Sequence, residues 1–296
     1  MSQRDYAPTA APRRFEVART FAIVIATLSA SGVYLLWLFF VNTEKGQRLD
    51  DAAFLGSYLG RGTLWQLARP MLSVVSISYL VVAIIVCAAI ALVQKRWLLA
   101  VQVVAVIGGA NLTTQVVKAV LDRPDFDVNW GPYNTLPSGH TTVAAATSVA
   151  LVLALPRTWR PAAALFGAVF TAAMGISTLV GQWHRVSDVL AAILVTCAWG
   201  ALACALHTKR DADPISHKPG SGTEVAVALL GVGGVVAAIA TWWQGKDVWR
   251  AVKLGAEISA SQQTSAYVAA VAAVVALSAF VFTVLLLLRQ ATAQIR

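Results

Sequence analysis

The sequence predicts an all-α protein, a polytopic bundle of helices dissolved in a membrane. Composition is the first reason. Of 296 residues, 58% are hydrophobic and only 12% are charged, and the mean hydropathy is +0.68. Soluble domains carry about 25% charged residues and about 45–50% apolar ones. The second reason is that the apolar residues gather in eight runs, each about as long as the roughly 20 residues needed to cross a bilayer core. The third is that no run shows the short apolar–polar alternation of a transmembrane barrel, so helices must satisfy the backbone in lipid.

Taken in order, the runs are 20–42, 73–94, 97–117, 138–156, 161–181, 186–207, 223–243 and 265–288. The first follows Arg13, Arg14 and Arg19, as a signal peptide would. It is long, ends in aromatics (Trp37, Phe39, Phe40) and lacks a small-residue cleavage site, so it reads as a retained anchor. Residues 208–222 are polar, contain Pro and Gly, and read as a linker between six spans and a final pair. The expected organisation is therefore a cytoplasmic segment at 1–19, a six-span core at 20–207, a cytoplasmic linker at 208–222, and two further spans within 223–296.

Eight spans put both termini on one side. That side carries thirteen Lys and Arg against ten on the other, and three of the ten are candidate site residues. The excess predicts cytoplasmic termini. It also explains the net charge of +9 without nucleic acid as a partner, because the basic residues sit in short segments between spans. Cys87, Cys197 and Cys204 lie inside apolar runs with no CxxC pair, which predicts neither a disulfide framework nor structural zinc. The tryptophans Trp97, Trp159, Trp183, Trp242 and Trp243 fit an interfacial belt.

The opposite side, predicted to be extracytoplasmic, collects the chemistry. The third span ends with Lys118, followed by Asp122-Arg123-Pro124. The fourth opens with Pro137-Ser138-Gly139-His140. The fifth and sixth meet at Trp183-His184-Arg185-Val186-Ser187-Asp188. Counting helices brings these three stretches to one membrane surface. Ser138-Gly139-His140 opens a helix, whose first N–H groups are unpaired and favour anions, and glycine lets an oxyanion come close to the backbone. Lys118 offers a point charge and Arg123 a planar fork for phosphate oxygens. His184 and Asp188, four apart, share a helical face. A carboxylate there holds one imidazole nitrogen protonated and frees the other to attack, while His140 can protonate a leaving oxygen. Singly, each has a plainer reading: snorkelling anchors, a helix cap, a structural pair. His207 and His217 fall near the linker and look inert, and Asp125 and Asp127 read as solvated loop acids.

These three stretches resemble the motifs of the type 2 phosphatidic acid phosphatase family, whose core is shared with vanadium haloperoxidases. The family pattern of Lys then Arg-Pro, then Pro-Ser-Gly-His, then Ser-Arg, five residues, His, three residues, Asp is matched by Lys118…Arg123-Pro124, Pro137-Ser138-Gly139-His140 and Ser177…His184…Asp188. The resemblance covers about 97–207 and leaves the last two spans outside. It departs in two places. Four residues, not six, separate Lys118 from Arg123, and Thr178 stands where the family has a phosphate-binding Arg, a role Arg185 could take. The resemblance implies a lipid phosphatase that needs no cofactor and no metal. His184 would attack phosphorus, Asp188 would orient it, and His140 would protonate the leaving group. Lys118, Arg123, Ser138, Gly139 and Arg185 would bind the phosphate.

The expected partners are the bilayer and a lipid phosphate, with polyprenyl diphosphates or phosphates of cell-envelope synthesis first and phosphatidate-type lipids next. Two rivals remain open from the sequence. One is a transporter or flippase for phospholipids or anions, suggested by Asn111, Thr113, Thr114 and Gln115 within the third span. The other is an inactive lipid-phosphate-binding protein, suggested by Thr178.

Overall fold

A computed structural model describes residues 10–60, 62–128, 133–206 and 221–293. Most of the expected linker, with His207 and His217, lies outside these residues. Among the described residues the chain is helical throughout: α1 (Ala10–Leu36, continued by a wide turn Trp37–Val41), α2 (Glu44–Gly56), α3 (Thr63–Val74), α4 (Ile77–Val93), α5 (Trp97–Val120), α6 (Gly139–Ala154), α7 (Arg160–Val180), α8 (Val186–Ala205), α9 (Ser221–Lys253) and α10 (Ala260–Thr292). Six are long and apolar enough to cross a membrane: α1, α5, α7, α8, α9 and α10. This makes the chain a multi-pass membrane protein.

The eight expected runs are all helical, and two depart from a straight span. The run at 73–94 breaks where Val75 is extended and the Ser76 hydroxyl caps α4 by accepting from Tyr79 N. α3 and α4 meet there at a bend of 62°. The run at 138–156 yields only 16 residues in α6, about 24 Å of helix against a hydrocarbon core of about 30 Å. Pro156 forces Leu155 into an extended conformation (φ −68°, ψ 151°) and ends the helix early.

Two features exceed what periodicity predicts. α9 and α10 are each 33 residues long, about 50 Å, so they project beyond the spans. The segment 44–56, between two expected spans, is α2. Thr43 caps it, its hydroxyl accepting from Gly46 N at 3.0 Å. α2 packs mainly on the start of α10, so closely that a Cβ on Gly56 would strike Gln263 O at 2.0 Å. Arg48 Nη2 also donates to Ala256 O at 2.6 Å. α2 therefore lies across one end of the bundle, held by the turn between α9 and α10.

The core is built from small residues on α6, α7 and α8 filled by large ones from α10. Phe282, Leu285 and Leu286 are fully buried. Phe282 sits where Gly167 has no side chain, and Leu285 where Gly200 has none. Within lipid such close fit, rather than exclusion of water, drives helix association. α9 keeps Val225, Leu229, Val232, Val236 and Ile239 on its exposed face, as a lipid-contacting outer helix should. The three cysteines are free and buried.

Candidate functional site

Five pieces meet at the α2 end of the bundle: the last turn of α5, the loop after it, the first turns of α6 and α8, and α2. The α7–α8 connection is short. Gln182 takes a left-handed φ of 56° within it, and its Nε2 donates to Phe54 O of α2 at 3.2 Å. This presents His184 just ahead of α8.

Asp188 is the hub. It is 1% exposed, and its Oδ2 accepts from His184 Nδ1 at 3.0 Å, Arg185 N at 3.1 Å and the Thr135 hydroxyl at 2.7 Å. An ionised carboxylate only accepts, so Nδ1 is the donor, and in the neutral ring Nε2 presents its lone pair. The backbone carbonyl of Asp188 accepts from Ser138 N at 2.8 Å. One residue thus fixes both the imidazole and the start of α6.

At that start, Ser138 is fully buried and its Oγ accepts from Thr141 N (3.4 Å) and from the Thr141 hydroxyl (3.0 Å). It is the cap of α6, with its own hydroxyl hydrogen left to donate. A Cβ on Gly139 would meet nothing within 4 Å, so its backbone faces open space. His140 follows, its ring 5.3 Å from that of Trp183, and the charges of His184 and Lys118 both act on it. α6 is tied to α5 by Thr142 and Thr114, whose hydroxyls lie 2.9 Å apart.

The cations converge on the same place. Lys118, in the last turn of α5, is acted on by Asp188. Arg123 is 8% exposed, and three hydrogen bonds hold its loop: Trp37 Nε1 to Asp122 O at 2.9 Å, Gln47 Nε2 to Pro124 O at 2.8 Å and Asn134 Nδ2 to Leu121 O at 2.8 Å. Its Nη2 is buried with no hydrogen-bond partner among the described residues, a donor suited to an incoming oxyanion. Burial, and then the charge of Arg185, press the Arg123 guanidinium below its usual pKa, though arginine stays charged. Arg185, 3% exposed, reaches Thr135 Oγ1 with Nη1 at 3.4 Å. Opposing these cations are Asp188 and two α2 carboxyls. Burial raises the pKa of Asp51 against the pull of Arg185 and Arg123. Burial and the neighbouring Asp188 raise Asp50 to about 7.

All eight expected site residues, His184, His140, Asp188, Lys118, Arg123, Ser138, Gly139 and Arg185, therefore lie at one end of the bundle. Thr178 does not reach them. It is buried in α7 and its hydroxyl returns to Gly175 O at 2.7 Å. Asp125 and Asp127 form a local turn, Asp127 N donating to Asp125 Oδ1 at 3.0 Å. Three residues were not signalled by sequence. Thr135 and Ser187 have no distinguishing pattern, and Asp50 lies between two expected spans, outside every motif. Among the described residues no group of three or more His, Cys, Asp or Glu is placed to hold a metal ion.

A multi-pass helical protein here brings buried guanidinium groups and half-buried imidazoles around a carboxylate at one end of its spans, an arrangement with the donors and charge to hold a phosphate. Comparison with family models agrees. The PAP2 superfamily model matches residues 99–212, so that segment is similar to PAP2 proteins, in keeping with the resemblance to type 2 phosphatidic acid phosphatases. The segment runs from α5 to just past α8 and includes all eight residues. No curated protein and no solved structure gives a significant match.

Proposed function

We propose that this chain is a lipid phosphate phosphatase that works through a phosphohistidine. The supporting observation is the double use of Asp188, whose carboxylate orients His184 while its carbonyl anchors the Ser138-Gly139-His140 turn. His184 Nε2 attacks phosphorus, and the bond from phosphorus to the lipid oxygen breaks as His140 gives that oxygen a proton. Water then attacks the phosphohistidine, returns a proton to His140 and releases inorganic phosphate with neutral His184. Lys118, Arg123, Arg185, Ser138 and the Gly139 N–H stabilise the phosphoryl oxygens as charge builds. The reaction needs no metal.

The favoured substrates are polyprenyl diphosphates or phosphates of the cell envelope, then phosphatidate-type lipids. The headgroup reaches the site while the tail stays in the bilayer. The excess of Lys and Arg at the opposite end supports a cell-membrane protein with cytoplasmic termini and an extracytoplasmic site. Three of the four polar residues behind the transporter reading have partners within the bundle, and the fourth, Gln115, is exposed. Asn111 bonds back to Ile107 O, Thr113 accepts from Trp199 and Thr114 pairs with Thr142, so these polar groups serve packing. Phosphate release from a panel of lipid phosphates, with chelator present, tests the proposal. His184→Ala should insert and fold but release nothing. Turnover by that variant, or loss of wild-type turnover with chelator, would overturn it. Binding without any release would favour the inactive binder, and transport without release the flippase.

A further inference from the structure

Asp50 belongs to α2, outside every motif and outside the segment similar to PAP2 proteins. It is fully buried. Both its oxygens go to one residue: Oδ1 accepts from Ser187 N at 3.2 Å and Oδ2 takes the Ser187 hydroxyl. Ser187 lies between His184 and Asp188, in the first turn of α8, where N–H groups have no partner inside the helix. The residue at the cap position is Arg185, whose side chain offers no acceptor. The turn is therefore satisfied by two carboxylates instead. Asp188 takes the N–H of Arg185, and Asp50, arriving from another helix, takes that of Ser187.

Burying a carboxylate is expensive unless it is paired, and a serine or asparagine cap would do the same for helix stability alone. What Asp50 adds is a fixed position for the peptide beside Asp188. We infer that Asp50 is a positioning residue for the phosphatase reaction: through Ser187 it clamps the first turn of α8 so that Asp188 meets His184 Nδ1 and Ser138 N at once. The inference rests on the reading of His184 as nucleophile. The charged groups acting on Asp50 are Asp188 and Arg185 at the start of α8 and Arg123 from the loop after α5. Asp51 is its neighbour on α2. An ionised Oδ2 accepts from the Ser187 hydroxyl and a protonated one donates to it, so the clamp persists in either state.

The test uses the full chain in lipid nanodiscs, with Asp50→Ala, Asp50→Asn and Ser187→Ala. One readout is kcat and KM for phosphate release from a polyprenyl phosphate. The other is the ¹⁵N spectrum of the histidine rings, a tractable set of four, with His184 assigned by loss of its signal in His184→Gln. Asp50→Ala and Ser187→Ala should each lower kcat about tenfold or more with KM within about twofold, the equivalent of one lost hydrogen bond at a charged group. The His184 Nδ1 signal should move in both. Asp50→Asn keeps one acceptor and should recover part of kcat. Wild-type kcat with an unmoved His184 signal in Asp50→Ala and Ser187→Ala would overturn the inference, as would a change confined to KM. If Asp50→Ala fails to fold, Ser187→Ala, which removes a single oxygen, decides. If the wild-type chain releases no phosphate from any lipid, the phosphatase reading falls. The His184 signal then judges the clamp by itself, movement supporting it and constancy refuting it.

Discussion

Thr135→Val is the sharpest probe of the site, because it removes one oxygen and keeps the side-chain shape. Thr135 donates its hydroxyl to Asp188 Oδ2 at 2.7 Å, the shortest of the three bonds that oxygen accepts. A hydrogen bond to a charged group contributes about 1.5–3 kcal/mol. The other two donors remain, so Asp188 stays buried and partly satisfied, and the fold should survive. If Asp188 stabilises positive charge forming on His184, this loss appears in the chemical step. At about 1.4 kcal/mol per factor of ten, kcat should fall about ten- to hundredfold, and KM should rise too, because Thr135 Oγ1 also accepts from Arg185 Nη1 at 3.4 Å. Asp188→Asn disturbs all three bonds and should be worse. The assay is phosphate release from detergent-solubilised lipid phosphate across a substrate range, with Thr135→Ser as the restoring control. A Thr135→Val enzyme within about twofold of wild type, beside inactive Asp188→Asn, would refute the reasoning.

Other perturbations have equally definite outcomes. Arg185→Ala should lower kcat/KM about ten- to hundredfold through lost phosphate binding, and a neutral effect in the same assay would remove Arg185 from the cradle. Gly175→Ala would put a Cβ 2.6 Å from Val189 Cγ1 and 3.2 Å from Val274 Cγ1. Overpacking of that kind costs about 1–3 kcal/mol, seen as a lower thermal midpoint in detergent. Asp50 makes stability depend on pH. Its pKa rises from 3.8 to about 7 on folding, so between those values the folded chain holds more proton than the unfolded one. Its contribution is full below about pH 4 and is lost as pH rises through 7. The thermal midpoint of Asp50→Asn should therefore gain on wild type as pH rises from 5 to 8.

Much of this molecule is legible in its sequence because lipid permits so few solutions. Long apolar runs must be helices, and counting them already brings Lys118, Ser138 and His184 to one end. What escaped was decided by fit rather than pattern. α2 is short and lies between two expected spans, with Asp50, Asp51 and Gln47 all buried, and only the fold shows why: Ser187 of α8 meets Asp50, while Val41 O and Pro124 O take the Gln47 amide. The break at Val75–Ser76 turns on a single hydroxyl cap within an apolar stretch. The shortness of α6 was foreshadowed by Pro156, but the run of apolar residues hid it. Thr135 is one hydroxyl among many, and only the folded loop brings it to Asp188.

The way α10 is inserted has a practical consequence. The polar stretch at 208–222 invites division of the chain into a minimal phosphatase and a dispensable tail. Yet α10 fills the hollows at Gly167 and Gly200, and its start bears on α2 at Gly56. A protein ended at the polar stretch could still enter a bilayer, since lipid chains would coat the vacated surface. It would lose the buttress under α2, and with it the anchorage of Gln47, Asp50 and Asp51. The last helix is thus a keystone of the site, although it contributes no group to the chemistry.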